Sequence, residues 1–451
     1  MKTLFNKLSS ARIIMLGFLA VILTGTALLC LPISSVNGEP ASFTTALFTA
    51  TTATCVTGLV VVPTVSWSIF GQAVILLLIQ IGGLGIVTIM SGAFILLNKK
   101  ISFGNRILMQ EAFNLNTLSG LVRFTKKVLV GTLIIESIGA CFYMFVFVPQ
   151  FGLKGVWISV FNAVSAFCNA GIDIIGTNSL YDYALNPLVN IVTMALIILG
   201  GIGFIVWWDI IGVSKIKITS KTKFWQSLTL HSKIVIVSTI VLILGGAACI
   251  FIFEYNNPAT FADMNVGQKI MASLFQSVTT RTAGFATVPQ ENLTTPSAIL
   301  SMIFMFIGGS PVGTAGGIKT VTFVVLLLST VSVIKGKNYV SVFNRCISES
   351  TVNKCSAIVF ISLTITLVSI ILLSITTNKE FIDLAYEIVS ATGTVGLSRN
   401  LTSTLNSVGR YIVIFTMYFG RIGPISMAVS LNTKKLNQNI IKNPTEEISV
   451  G

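Results

Sequence analysis

Residues 55–59 read Cys55-Val56-Thr57-Gly58-Leu59, and three more peptides share their form: Cys168-Asn169-Ala170-Gly171-Ile172, Arg281-Thr282-Ala283-Gly284-Phe285 and Gly393-Thr394-Val395-Gly396-Leu397. Each runs to a Gly followed by an apolar residue, and the Gly-to-Gly spacings are 113, 113 and 112 residues. A period this regular along the whole chain is an internal repeat. The same kind of segment leads into each peptide: Ser42–Thr54, Val156–Phe167, Gln268–Thr280 and Glu380–Thr392, rich in Thr, Ser, Ala and Phe. At roughly 12 residues each, these are too short to cross a bilayer and read as re-entrant or interfacial helices.

Longer apolar runs flank them: Ala11–Ile33, Ala73–Leu97, Val128–Val148, Leu188–Ile211, Ile234–Phe253, Ser301–Val331, Ala357–Thr376 and Val408–Leu431. The repeating unit is span, short helix, Gly-ended loop, span. The expected fold is an all-α polytopic membrane protein of eight full spans, with four pseudo-repeated span–pore helix–span units around one central pore. The expected unit boundaries are 1–100, 101–213, 214–333 and 334–451.

Composition agrees with this reading. Hydrophobic residues make up 53% of the 451 and charged residues 10%, against about 25% charge in a soluble domain. A large cytosolic enzyme, a disordered chain and a disulfide scaffold are excluded, and the seven Cys include no CxxC pair. The net charge of +14 is not a nucleic-acid footprint, because 21 of the 29 Lys and Arg fall in the N-terminus, Lys99–Lys127, Lys215–Lys233, Lys335–Lys354 and the C-terminus from Lys434. The positive-inside rule puts those segments, and both termini, in the cytoplasm, and the short helices on the external side.

Four such loops can point backbone carbonyls at one axis, where a carbonyl ring replaces the hydration shell of a potassium ion. Gly at the loop end permits the required backbone and leaves the lumen open. The short helices would aim their partially negative C-terminal ends at a cation. The candidate ion-binding residues are Cys55, Val56, Thr57 and Gly58; Cys168, Asn169, Ala170 and Gly171; Thr282, Ala283 and Gly284; and Thr394, Val395 and Gly396. Gly82-Gly83-Leu84-Gly85 and Gly200-Gly201-Ile202-Gly203 read as close-packing or bend positions. In the third unit Gly308, Gly309, Ser310, Pro311, Val312, Gly313, Thr314, Ala315, Gly316 and Gly317 interrupt an apolar run, and such an unwound segment below a filter can gate it. Arg421, inside the last span, takes the place of those glycine motifs and is assigned to the gate, since a buried cation faces the bundle interior or a water-filled path.

Other charges are read more plainly. Glu136 is a mid-span carboxylate of structural role, Lys319 follows the unwound segment, and Arg281 is expected to turn away from the axis and brace its loop. Asp173 and Glu291 lie at the external mouth and would concentrate cations there. The only His, His231, supports no catalytic or metal set. The cytoplasmic stretch Ile101–Leu121 is moderately amphipathic, suited to a membrane surface or a soluble partner.

The strings CVTGL (55–59), FCNAG (167–171), TTRTAGF (279–285) and GTVGL (393–397), with GTAGGIKT (313–320) and GRIGP (420–424), resemble the Ktr/Trk/HKT superfamily of potassium transporters over essentially the whole chain. Without extra spans before the first repeat, it is more similar to the Ktr membrane subunit than to the longer Trk subunit. The resemblance implies potassium as the transported ion, because Gly58 is not the Ser of sodium-preferring members. It carries the family's gating loop onto Gly308–Gly317 and its constriction arginine onto Arg421. It further implies a homodimer with one pore per chain, docked on a cytosolic ring of nucleotide-binding regulatory subunits that respond to ATP or ADP, with sodium as an activator in several systems. This chain departs from the family pattern where the second filter continues into Ile172-Asp173. The competing readings are an ion-coupled secondary transporter of another solute, whose repeats are usually inverted or doubled, a non-conducting structural membrane protein, and a membrane enzyme, for which no catalytic cluster exists.

Overall fold

In the computed structural model, residues 10–97, 103–112, 120–219, 224–337 and 339–423 are described. The expected cytoplasmic termini, the last part of the span Val408–Leu431 with Pro424, and parts of the basic loops 99–121 and 215–233 lie outside the described residues.

The chain is predominantly helical. The first expected unit comprises α1 (Ser10–Leu29), α2 (Phe43–Cys55), α3 (Ile69–Leu84) and α4 (Ile86–Leu96), and α5 (Phe103–Ala112) follows it. The second comprises α6 (Leu121–Phe151), α7 (Leu153–Cys168), α8 (Pro187–Gly201) and α9 (Phe204–Thr219), with a single turn α10 (Phe224–Ser227) after it. The third comprises α11 (Leu230–Glu254), α12 (Val266–Thr279), α13 (Thr295–Phe306) and α14 (Thr320–Ile334). A small antiparallel hairpin, β1 (Val340–Val342) and β2 (Arg345–Ile347), leads to the fourth: α15 (Glu349–Thr376), α16 (Phe381–Gly393) and α17 (Ser407–Ile422).

Local chemistry sets the helix starts. The Ser42 side chain accepts from the Thr45 amide to open α2, Asn265 and Gln268 form a reciprocal capping box at α12, and Thr294 followed by Pro296 opens α13. The four long helices turn large apolar side chains outward, as at Phe145, Ile252, Phe360 and Ile375, each more than two-thirds exposed. The short helices are buried instead: in α2, Phe48 to Cys55 are all buried despite four Thr. This arrangement, apolar outside and polar inside, suits a lipid solvent.

Single long helices make up only part of the eight expected runs. Among the described residues, four helices (α1, α6, α11 and α15) are long and apolar enough to cross a membrane, or six if each bent pair is one span. The second runs of the units are broken rather than straight. Helices α3 and α4 meet at 98°, and α8 and α9 at 93°. The breaks fall on Gly85 (φ 82°) and Gly203 (φ 94°), and Gly423 (φ 90°) ends α17 in the same conformation. A side chain opposes this backbone, so in the first two units the last glycine of the motif is where the helix turns. In the third run Ser301–Val331 the break widens into 13 non-helical residues between Phe306 and Thr320.

The earlier glycines of these motifs serve packing. A Cβ at Gly82 would meet the Thr54 carbonyl, one at Gly200 the Phe167 carbonyl and one at Gly420 the Thr392 carbonyl. Helix α3 packs on α7, α8 on α12, α13 on α16, and α17 back on α2. The helix that follows the short helix in each expected unit therefore lies against the short helix of the next unit, and the last closes on the first.

Gly82→Val would push a side chain into the Thr54 carbonyl, a strain of about 1–3 kcal/mol. The unfolding midpoint of the detergent-purified protein, followed by Trp fluorescence, is expected to fall by several degrees. Gly245→Ala, where nothing lies within 4 Å of the added carbon, should leave the midpoint unchanged or slightly raised.

Candidate functional site

The C-terminal ends of α2, α7, α12 and α16 converge, and the four Gly-ended peptides meet there. A Cβ at Gly171 would stand 2.5 Å from the Ala283 carbonyl oxygen. One at Gly284 would meet the Val395 carbonyl, one at Gly396 the Thr57 carbonyl, and one at Gly58 the Ala170 carbonyl. Every glycine thus faces the carbonyl of the residue before the next glycine in chain order, and the fourth faces the first. Gly58, Gly171, Gly284 and Gly396 all have positive φ, at 94°, 63°, 78° and 99°. So do the residues two before them: Val56, Asn169, Thr282 and Thr394. The four peptides share one backbone form, in which left-handed residues alternate with ordinary ones.

Hydroxyls on the short helices hold this form from behind. Thr52 Oγ1 accepts from the Gly58 amide at 3.0 Å, Ser390 Oγ from the Gly396 amide at 3.0 Å, and Ser165 Oγ from the Ile172 amide at 3.1 Å. In the third peptide the position equivalent to Thr52 is Val278, and Thr279 Oγ1 donates to the Phe285 carbonyl at 2.6 Å instead. The sequence reading missed these residues. Their signal was present, as a Ser or Thr six residues before the glycine in three of the four peptides.

Outside the ring lies a cavity of about 420 Å³, lined by all four glycines together with Asp173, Glu291, Gln290 and Asn400. Asp173 and Glu291 therefore stand where the sequence reading puts them, at one mouth of the ring. Burial pushes the Asp173 carboxyl up to about 6, against the opposing pull of hydrogen bonds from the Ile175 amide, Ser179 and the Gly176 amide. A second network joins the third and fourth peptides. Gln290 bonds Gln276 at 2.7 Å and accepts from Tyr386 at 2.9 Å, and Arg399 spans from Asp383 (2.7 Å) to the Gln290 carbonyl (2.9 Å).

On the other side of the ring a cavity of about 230 Å³ is lined by Gly82, Gly83, Val312, Gly313, Lys319 and Arg421, with Glu111 of α5 at its edge. The unwound segment Gly308–Gly317 folds into this space. It is pinned to the α8–α9 break, with Ser310 N on the Gly201 carbonyl (2.9 Å), Thr314 N on the Gly200 carbonyl (3.1 Å) and the Val312 carbonyl accepting from Phe204 N (2.8 Å). Arg421 donates to the Thr314 carbonyl at 2.6 Å, to the Gly83 carbonyl at 3.2 Å and to the Gly82 carbonyl. Lys319 Nζ donates to the Ala315 carbonyl at 2.6 Å. The two cations are thus held by backbone oxygens of the segment and of the first unit, and the predicted gate residues come together as one cluster.

Two other expectations change in detail. The partner of Glu136, not identifiable from the sequence, is Gln80: Glu136 accepts from Gln80 Nε2 at 3.2 Å behind Cys168, in the support of the second peptide. Arg281 lines a small cavity with Ile197, Ile198 and Gly309 and does not line the outer cavity. No hydrogen bond from its side chain braces the loop among the described residues, and its buried Nε lies beside the isoleucines of α8 without a partner.

Comparison with known proteins places this geometry. The family model for TrkH, a cation transport protein, matches residues 9–442. The potassium/sodium uptake protein NtpJ of Enterococcus hirae is 39% identical over 100% of this chain and 99% of its own. The Ktr system potassium uptake protein B of Bacillus subtilis (strain 168) is 38% identical over 98% of this chain and 96% of its own, and that of Vibrio alginolyticus 35% over 98% and 94%. In fold, the chain is similar to the crystal structure of the potassium transporter TrkH from Vibrio parahaemolyticus, with a TM-score of 0.72 at 16% identity, covering 92% of this chain and 85% of that one.

Since Asp173 is neutral below about pH 6, the outer cavity loses a negative charge on acidification. In liposomes at low ionic strength, initial monovalent cation flux is expected to fall roughly twofold as external pH goes from 7 to 5. Asp173→Asn should start at the lower rate and show a flatter pH profile. A profile unchanged by the substitution would remove Asp173 from the mouth field.

Proposed function

The chain belongs to the TrkH family of cation transport proteins, and from that membership and the four-glycine ring we propose that it takes up potassium through a carbonyl-lined filter closed by an intramembrane gate. It is a membrane transport protein and not an enzyme. The observation that carries the proposal is the closed succession in which Gly58, Gly171, Gly284 and Gly396 each face the carbonyl before the next. Oxygens gathered so closely, with no side chain between them, can take the place of an ion's water shell. Burial of the short helices and their hydroxyl supports keeps that backbone in one conformation, so the binding geometry is preorganised. The filter is Cys55–Gly58, Cys168–Gly171, Thr282–Gly284 and Thr394–Gly396.

The four units, with boundaries at 1–100, 101–213, 214–333 and 334–451, surround this axis with eight membrane-crossing runs, three of them broken at glycine-rich motifs. The basic loops and both termini face the cytoplasm. Inward movement then follows the membrane potential, which is worth about 2.3 kcal/mol per charge per 100 mV.

The gate is the segment Gly308–Gly317 with Arg421. A segment with so many glycines has little helical propensity, and its present position depends on a handful of hydrogen bonds to α7, α8, α9 and neighbouring residues, and on Arg421, which links it to carbonyls of the first unit. The guanidinium of Arg421 places a fixed positive charge in the cation path and ties the segment across it. Relatives named as components of Ktr systems support a multi-component assembly. In the reading offered here the chain forms a homodimer that docks on a cytosolic nucleotide-binding ring, ATP and ADP act on that ring rather than on this chain, and sodium serves as an activator. The name of the Enterococcus relative, which includes sodium, makes the sodium dependence a direct question for this chain.

Gly58→Ser inserts a side chain against the Ala170 carbonyl and is expected to lower the potassium-over-sodium permeability ratio about tenfold or more, measured by cation-dependent flux in liposomes. An unchanged ratio would sink the filter assignment. Deleting Val312–Gly316 should raise basal flux several-fold in the same assay, and unchanged flux would count against the gate.

A further inference from the structure

Thr314 differs from the rest of the unwound segment in having every polar group engaged with a different part of the protein. It is fully buried. Its amide donates to the Gly200 carbonyl at 3.1 Å and its carbonyl accepts from Arg421 at 2.6 Å. Its hydroxyl donates to the Phe167 carbonyl at 2.9 Å and lies 3.4 Å from Asn169 Oδ1. Phe167 is the next-to-last residue of α7, so its carbonyl is one that the helix ladder leaves free. Asn169 is the left-handed residue of the second Gly-ended peptide. The hydroxyl of Thr314 therefore reaches from the proposed gate onto the proposed filter.

The contact is unequal around the ring. The carbonyls equivalent to Phe167 are those of Thr54, Thr280 and Thr392, and among the described residues no hydroxyl donates to any of them. Among the described residues the Asn169 side chain has no other hydrogen bond, and its buried Nδ2 is without a partner. The Asn169 side chain is otherwise confined only by the close approach of Gly200 and Gly201.

We infer that Thr314 is a positioning residue that couples the gate to ion selection, by holding the end of α7 and the side chain of Asn169 while the segment is in place. This inference rests on the gate and filter readings above. The donated proton offsets partial negative charge at one helix end of the four. When the segment moves, Arg421, Gly200 and Phe167 all release Thr314 together, and the second peptide loses its support from below. Ion preference then depends on the position of the gate, and the second peptide is the one that senses it.

The test is Thr314→Val, which keeps the shape and removes the hydroxyl, beside Thr314→Ser, which keeps the hydroxyl. Potassium and sodium are each titrated onto the detergent-purified full chain with the segment in place, and the ratio of their apparent affinities is read from the rise in unfolding midpoint that each cation produces. T314V is expected to lower the potassium-over-sodium ratio roughly three- to tenfold, the scale of one neutral hydrogen bond, while T314S keeps the wild-type ratio. If T314V does not purify as a monodisperse protein, Thr314→Ala replaces it. A wild-type ratio in T314V or T314A overturns the coupling, and so does a T314S ratio that falls as far as that of T314V. The Val312–Gly316 deletion separates the readings. If it raises flux while T314V leaves the ratio unchanged, the gate stands and the coupling is gone; if it leaves flux unchanged, the gate fails and the coupling fails with it.

Discussion

Four backbone segments can share one axis only if none of them carries a Cβ at the point of closest approach. That steric constraint organises the rest of this structure. At Gly171 an added carbon would stand 2.5 Å from the Ala283 oxygen and 2.6 Å from the Gly284 Cα, and the other three positions are as crowded. Positive φ at each adds a conformational reason for glycine to the steric one. Short helices must then end close to the axis. Their flanking helices must pass close enough to need glycine themselves, as Gly82, Gly200 and Gly420 do against the carbonyls of Thr54, Phe167 and Thr392.

The same economy of side chains shapes the inner cavity. Arg421 stands in the fourth unit where Gly83 stands in the first, and its guanidinium reaches the carbonyls of Gly82, Gly83 and Thr314. A buried cation is tolerable when carbonyl oxygens replace its water. Here those oxygens come from an unwound segment and from the end of α3. The segment supplies acceptors because it is not helical, and the arginine in turn helps to hold it in that form.

Much of this was legible in the chain. The short helices lie within a few residues of the expected segments, because a run of about a dozen apolar and small polar residues leading to a Gly-ended peptide has few other ways to fold at that length. The glycine motifs read as packing or bend positions proved to be both, with Gly82 packing and Gly85 turning. Less legible were the 98° and 93° breaks that divide the second runs, since hydropathy reports an apolar environment and not helix direction. The partner of Glu136 is Gln80, 56 residues away and in another unit, and no local pattern announces such a pair. Arg281 was expected to brace its loop, but the apolar surface of α8 offers it no acceptor.

Sequence by itself determined the solvent, the repeat and the positions of the four glycines, because hydropathy, period and the tolerance of glycine for left-handed backbone are properties of the local chain. Tertiary structure alone decided that the fourth unit closes on the first, and that Arg421 and Thr314 meet beneath the ring. Those are contacts between residues as much as 403 positions apart. Their energies depend on distance and orientation in space, which no spacing along the chain encodes.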